Sequence, residues 1–164
     1  MSADDEAHEV LSWEEFGVAA RELAGLVVDD GYAPTVVLAI ARGGLPVGGA
    51  VAYALGVKNC CVINVEYYLG VDERLEVPMI LPPALNLVDL AGERVLIVDD
   101  VADTGETVRL VADQLRDRVA AVRTAVLYEK PRSVVACDYV WRRTARWVDF
   151  PWSAGGAVAR GRVD

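Results

Sequence analysis

An α/β fold, built on a mainly parallel five-stranded sheet flanked by helices, is what this sequence predicts, and three observations carry the prediction. Strand-like runs alternate with segments of helical periodicity along the chain, which is the signature of strand–helix–strand crossovers. The longest apolar runs, around Val36–Ala41 and Val95–Val98, are strand-length and fall well short of the ~18 residues of a membrane span. With 164 residues and 54% hydrophobic content, the chain is long and apolar enough to bury a substantial core within one domain.

Each element follows in order. Ser12-Trp13-Glu14-Glu15 reads as a capping box, and Phe16, Ala19, Ala20, Leu23, Leu26 and Val27 continue it at helical spacing. That helix stops near Gly31. Pro34 introduces a first strand over Thr35–Ala41. Arg42-Gly43-Gly44-Leu45 forms a loop, and Pro46 suits the first turn of a helix that runs to about Gly56. Asn59–Tyr68 reads as a second buried strand. Leu69–Leu90 holds Pro78, Pro82 and Pro83 and is charged in its first part. Its length marks a long flexible loop of the kind that often serves as a lid, part of which can form a short hairpin. Gly92 precedes a third strand over Arg94–Val98. Val108, Val111, Ala112, Leu115 and Val119 give the next helix one apolar face. Val122–Tyr128 is a fourth strand and Val134–Trp141 a fifth. Residues 1–152 are expected to form a single domain, and the small, glycine-rich Ser153–Asp164 a mobile tail.

Composition narrows the function. The net charge of −9 argues against a nucleic-acid binder, which usually carries a basic patch. It also means that an anionic substrate needs local Arg, Lys, metal or backbone N–H groups to offset the field. Met1–Val10 is acidic and has no apolar signal core, so a cytoplasmic protein without membrane attachment is expected. The three cysteines show no Cys-x-x-Cys or metal spacing and read as buried, reduced thiols. His8 is the sole histidine, so acid–base work falls on carboxylates, Lys or Tyr.

The most informative segment runs from Val95 to Thr107. An aliphatic run ends abruptly at Asp99-Asp100, and Asp103-Thr104-Gly105-Glu106-Thr107 follows at the entry to a helix. In open α/β sheets ligands bind outside the carboxyl ends of the strands. Ionised carboxylates accept two hydrogen bonds from a sugar diol, and a helix-entry turn offers N–H groups to a phosphate. A ribose carrying a 5′-phosphate fits both halves. Arg42-Gly43-Gly44 closes the first strand at the same sheet end, with a forked donor for phosphate oxygens and glycines that permit close backbone approach. The chain lacks the Gly-x4-Gly-Lys-Ser/Thr of a P-loop kinase and the Gly-x-Gly-x-x-Gly of a dinucleotide fold.

The Val95–Thr107 segment resembles the phosphoribosyl-pyrophosphate (PRPP) motif of type I phosphoribosyltransferases. The later order, Lys130-Pro131 after a strand, another strand, then Trp147-Val148-Asp149-Phe150-Pro151-Trp152, resembles the xanthine–guanine branch. The resemblance covers Val36 to Trp152. It implies the type I phosphoribosyltransferase fold with a small C-terminal hood, and the conversion of a 6-oxopurine and PRPP to a nucleoside monophosphate and pyrophosphate with Mg²⁺. By that resemblance Asp99, Asp100, Asp103, Thr104, Gly105, Glu106 and Thr107 bind PRPP, with Asp103 the proton-transfer residue and Asp100 the favoured magnesium contact. Arg42, Gly43 and Arg74 would hold pyrophosphate, with the peptide at Arg42–Gly43 often cis in the family. Lys130 would meet the purine 6-oxo group, Trp147 stack on the base, and the Val148 carbonyl read the 2-position. A homo-oligomer, dimer or tetramer, is expected. Three positions depart from relatives. Ser153 replaces an acid that contacts a second magnesium, Glu106 stands where Gly or Lys is usual, and Val77-Pro78-Met79 makes the long loop less polar. A non-catalytic PRPP or nucleotide sensor, or a transferase for another base, is the alternative.

Overall fold

The computed structural model describes residues 8–69, 76–81 and 87–158. Its elements are β1 (His8–Val10), α1 (Trp13–Asp29), β2 (Val36–Ala41), α2 (Gly44–Leu55), β3 (Cys60–Leu69), β4 (Glu76–Ile80), a 3-10 turn (Leu87–Leu90), β5 (Arg94–Ala102), α3 (Glu106–Leu115), β6 (Ala121–Glu129), β7 (Tyr139–Arg143) and β8 (Trp147–Asp149).

The main sheet has the order β4-β3-β2-β5-β6-β7. All its pairs are parallel except β3–β4. It therefore holds six strands where five were expected. The extra one is β4, which turns part of the long Leu69–Leu90 segment into a hairpin. Pro78 hides it in the sequence, but at an edge the missing N–H of proline costs no ladder bond. The fifth expected strand begins late, at Tyr139. Upstream of it the Val134 N–H goes to the Thr104 carbonyl (2.7 Å), and the Asp138 carboxylate accepts from both the N–H and the hydroxyl of Thr124, so a bond to the turn and side-chain bonds replace the ladder there.

Strand alternation divides the core in two. Val37, Leu96, Val98, Ala125 and Leu127 face α1 and α2 with Leu23, Val27, Val47 and Val51. Val36, Leu38, Ile40, Val95, Ile97 and Val126 face α3 with Val108, Val111 and Leu115. At the start of α1 the Ser12 hydroxyl accepts from the Glu15 N–H (3.1 Å). The other half of the capping box is not formed, because the Glu15 carboxylate turns to Arg142 Nη1 (2.9 Å). Helix α2 starts at Gly44, ahead of the expected position. Pro46 then stands within the first turn, whose N–H groups have no intrahelical acceptor, so its missing donor is harmless.

β1 and β8 form a separate two-stranded parallel ribbon, pairing His8 with Trp147 and Val10 with Asp149. The Leu11 N–H donates to the Asp149 carbonyl (3.0 Å), and His8 Nδ1 lies 2.8 Å from Asp149 Oδ2. The hood over the sheet's carboxyl end thus draws one strand from each end of the described chain. Ser153–Gly156, expected to open a mobile tail, turn back with the Ser153 and Ala154 N–H groups bonded to the Phe150 carbonyl (3.0 Å each); residues 159–164 lie outside the described residues. Among those described, no helix is long and apolar enough to cross a membrane.

Candidate active site

The paired acids do not sit in a loop. Strand β5 continues through them to Ala102, because β6 is long enough to pair alongside, Asp99 opposite Val126 and Ala102 opposite Glu129. Asp99 is buried at 8% exposure. Its Oδ1 accepts from the Asp100 N–H (2.9 Å), and Asp100 Oδ1 accepts from the Val101 N–H (2.7 Å). Burial pushes both carboxyls upward from the usual range, and for Asp99 the neighbouring Asp100 charge adds to the rise. On Asp100 the Val101 N–H, Asp99 and the Trp152 side chain pull the other way by favouring the ionised form. Two carboxylates held this way form an anionic site that calls for a cation or for donated protons.

The turn after β2 closes directly on this pair. A side chain at position 43 would overlap the Asp100 carboxylate, and a Cβ at position 44 would come 2.6 Å from the Val98 carbonyl oxygen. The two glycines are what allow the Arg42 turn to lie against the acids. A cis peptide bond is present at Ala41–Arg42, one residue ahead of the expected Arg42–Gly43. Arg42 is exposed. Arg74 lies outside the described residues.

Beyond β5 the chain turns through Asp103, Thr104 and Gly105 into α3. Gly105 has φ +78°, a left-handed conformation that favours glycine. A Cβ there would also meet the Ser133 hydroxyl and Val135. A cavity of about 290 Å³ opens at this turn, lined among others by Tyr67, Asp103, Thr104, Gly105 and Thr107. The Tyr67 hydroxyl is 2.8 Å from Thr107 Oγ1. Glu106 is drawn along the helix, its Oε2 accepting from Arg109 Nη2 (2.6 Å). That pairing offsets the extra negative charge at the turn.

A second cavity, about 460 Å³, adjoins the first. Its lining includes Val101, Asp103, Lys130, Arg132, Trp147, Val148, Phe150 and Ser153. Lys130 is fixed there by its N–H, which donates to the Ala102 carbonyl (3.0 Å). Burial lowers its ammonium from the usual lysine value. Trp147 is exposed and Val148 buried, as alternation along β8 requires. Phe150 stacks on Trp152 with ring centroids 5.0 Å apart.

Asp103 lines both cavities. Of the expected residues, Asp99, Asp100 and Gly43 converge at one point, Asp103, Thr104, Gly105 and Thr107 at the turn, and Lys130, Trp147 and Val148 around the larger cavity. Three residues had no role assigned to them from the sequence. Arg132 grips the Asp103 carboxylate by a fork: its Nε donates to Oδ1 at 2.8 Å and its Nη2 to Oδ2. Tyr67 marks the hairpin's contact with the turn. Trp152 is among the groups that favour the ionised form of Asp100. The one available signal was the position of Arg132 in Lys-Pro-Arg, two residues past a lysine already singled out.

Comparison with known proteins gives a consistent result. Residues 6–157 match the phosphoribosyl transferase domain family. The xanthine-guanine phosphoribosyltransferase of Ruegeria sp. (strain TM1040) is 32% identical over 152 residues, covering 87% of this chain and 83% of that protein. The protein of the same name from Gluconobacter oxydans (strain 621H) is 31% identical over 144 residues, covering 87% and 82%. The crystal structure of purine phosphoribosyltransferase from Pyrococcus horikoshii Ot3 superposes with a TM-score of 0.79 at 32% identity, over 94% of this chain and 99% of that one.

Proposed function

The chain belongs to the phosphoribosyltransferase family and is a transferase of purine salvage; we propose that it moves the 5-phosphoribosyl group of PRPP onto N9 of a 6-oxopurine. The observation that carries this reading is Asp103, the wall shared by the turn cavity and the Lys130–Trp147 cavity. A nucleotide's phosphate and base need two such compartments with the reacting carbon between them.

In this assignment Thr104, Gly105 and Thr107 hold the 5′-phosphate through the turn's N–H groups and hydroxyls. Asp99 and Asp100 accept from the ribose diol. Arg42 and the Gly43 backbone, with Arg74, hold pyrophosphate. Lys130 donates to the 6-oxo group, Trp147 stacks on the base, and the Val148 carbonyl reads the 2-position. In the transfer the N9 lone pair bonds to C1′. The C1′–O bond breaks with its electrons going to pyrophosphate, and the N7 proton passes to the Asp103 carboxylate. The donor set fits Mg²⁺. No group of three acidic, His or Cys side chains that could cage a metal occurs among the described residues, and Mg²⁺ is commonly held by one or two carboxylates plus substrate phosphates. Asp100 would hold the ion, which when bound neutralises charge on the departing pyrophosphate.

The test is pyrophosphate release from PRPP and Mg²⁺ across guanine, xanthine, hypoxanthine and adenine. The 6-oxopurines should turn over. Adenine, whose 6-amino group opposes the Lys130 donor, should be rejected by ~10⁴ or more, as sites built on hydrogen bonds reject a mismatched partner. PRPP binding without release for any base would instead identify a non-catalytic sensor.

A further inference from the structure

We propose that Arg132 is a positioning residue for proton transfer, orienting Asp103 toward the base cavity. This rests on the phosphoribosyl-transfer reading above and adds to it a side chain outside the PRPP motif.

The geometry is a join between two loops. The Lys130 N–H bonds to the Ala102 carbonyl at 3.0 Å, and the Val134 N–H to the Thr104 carbonyl at 2.7 Å. Gly105 packs so closely on Ser133 and Val135 that a Cβ would overlap them. These contacts lay segment 130–135 along segment 102–105. Within that join the Arg132 fork meets the Asp103 carboxylate at both oxygens. A planar guanidinium matching a carboxylate in this way fixes the plane of the carboxylate as well as its place. Each oxygen keeps a further lone pair, and the Asp103 side chain remains 41% exposed, so the group is oriented without being covered.

A cation beside a carboxylate has a cost for a base, because it favours the ionised form and so opposes protonation. The chemistry makes that cost small. As N9 bonds to C1′, positive charge enters the imidazole ring of the purine and the N7–H becomes strongly acidic. A weak base suffices to take the proton; one that points elsewhere does not. Misplacement by about 1 Å is enough to cost ~10²-fold in an oriented reaction. Orientation therefore outweighs basicity here, and a lysine, with its point charge, cannot supply it.

The experiment compares Arg132→Ala and Arg132→Lys with wild type by steady-state kinetics, alone and in an Asp103→Asn background, with thermal unfolding to check the fold. Arg132→Ala should lower kcat by ~10- to 100-fold, the range typical of losing a partner that orients a functional group, with KM for PRPP unchanged. Arg132→Lys should recover only a small part of the loss, and free guanidinium should restore activity to Arg132→Ala. In the Asp103→Asn background Arg132→Ala should change kcat by less than ~2-fold, because residues acting as one unit are not additive. A kcat within twofold of wild type in both single variants would overturn the inference. So would full, independent losses in the double variant, or a fall in base KM at constant kcat, which would make the pair a latch over the base cavity. Absence of turnover by wild type with every base would instead overturn the transferase reading itself, and this inference with it.

Discussion

Lys130 sits in a cavity walled largely by Val101, Pro131, Trp147, Val148 and Phe150, and burial is the main cause that lowers its ammonium below the usual 10.5; the Asp103 charge opposes the shift and Arg132 adds to it. Below its pKa the group is charged and donates to a 6-oxo oxygen; above it the charge is lost. The alkaline fall in kcat/KM for a 6-oxopurine should therefore begin at a lower pH than an ordinary lysine would give. Lys130→Arg, whose guanidinium stays charged, should move that limb upward in a pH–rate profile, and superimposable limbs would refute the role. Lys130→Ala should collapse discrimination against adenine in competition assays. Asp103→Asn should reduce kcat by ~10²- to 10⁴-fold, the usual contribution of a general base, with PRPP affinity nearly constant. Replacing Asp99 and Asp100 together by Asn should abolish turnover while circular dichroism shows the fold unchanged, since the substitution relieves two buried like charges. These acids were legible because they are adjacent in sequence at the end of an aliphatic run. Arg132 and Tyr67 were not, because each acts through a contact between segments that no local spacing encodes, and Trp152 was legible only as part of the aromatic order Trp147–Trp152.

At the scale of elements, the turn between β2 and α2 works because nothing projects from positions 43 and 44. Gly43→Ala forces a methyl into the Asp100 carboxylate. Overpacking typically costs ~1–3 kcal/mol, so the variant should unfold at a lower temperature in a thermal melt and lose activity, while Gly49→Ala, with open space around it, should keep both. Past the end of β6, the Cys137 N–H donates to Glu129 Oε2 (2.7 Å), and burial followed by the Glu129 charge pushes the Cys137 thiol up to about 12 from 9.0. The folded state thus prefers the thiol. Its contribution to stability is full below pH 9.0 and is lost as the pH rises toward about 12. Of the three cysteines expected to be buried, only Cys137 is, while Cys60 is exposed; in a thiol-reagent titration at pH 8 Cys60 should react in the native protein and Cys137 only after unfolding. The parallel strands of the main sheet and the three helices among the described residues were readable from their apolar runs and periodicity. Strand β4 was masked by Pro78, and three-residue strands such as β1 and β8 are too short to show a period at all.

At the scale of the whole molecule, the net charge of −9 contrasts with the cations that reach the base cavity, Lys130 and Arg132; recognition of an anionic substrate depends on local placement against the overall field. The β1–β8 ribbon joins strands near the two ends of the described residues. Trp147 and Val148 line the cavity from β8, and β8 has β1 as its paired strand. Deleting residues 1–10 should therefore raise KM for the base far more than KM for PRPP; equal effects on both would assign the ribbon to general stability. The same pairing has a consequence for how the molecule is made. His8–Val10 are synthesised before every strand of the main sheet, and their partners Trp147–Asp149 after every one. The sheet from β2 to β6 can assemble during synthesis, but β1 must wait unpaired until β8 has been made. Such distant pairings close slowly. In a newly made chain, competence to bind a base then follows the main sheet rather than arriving with it.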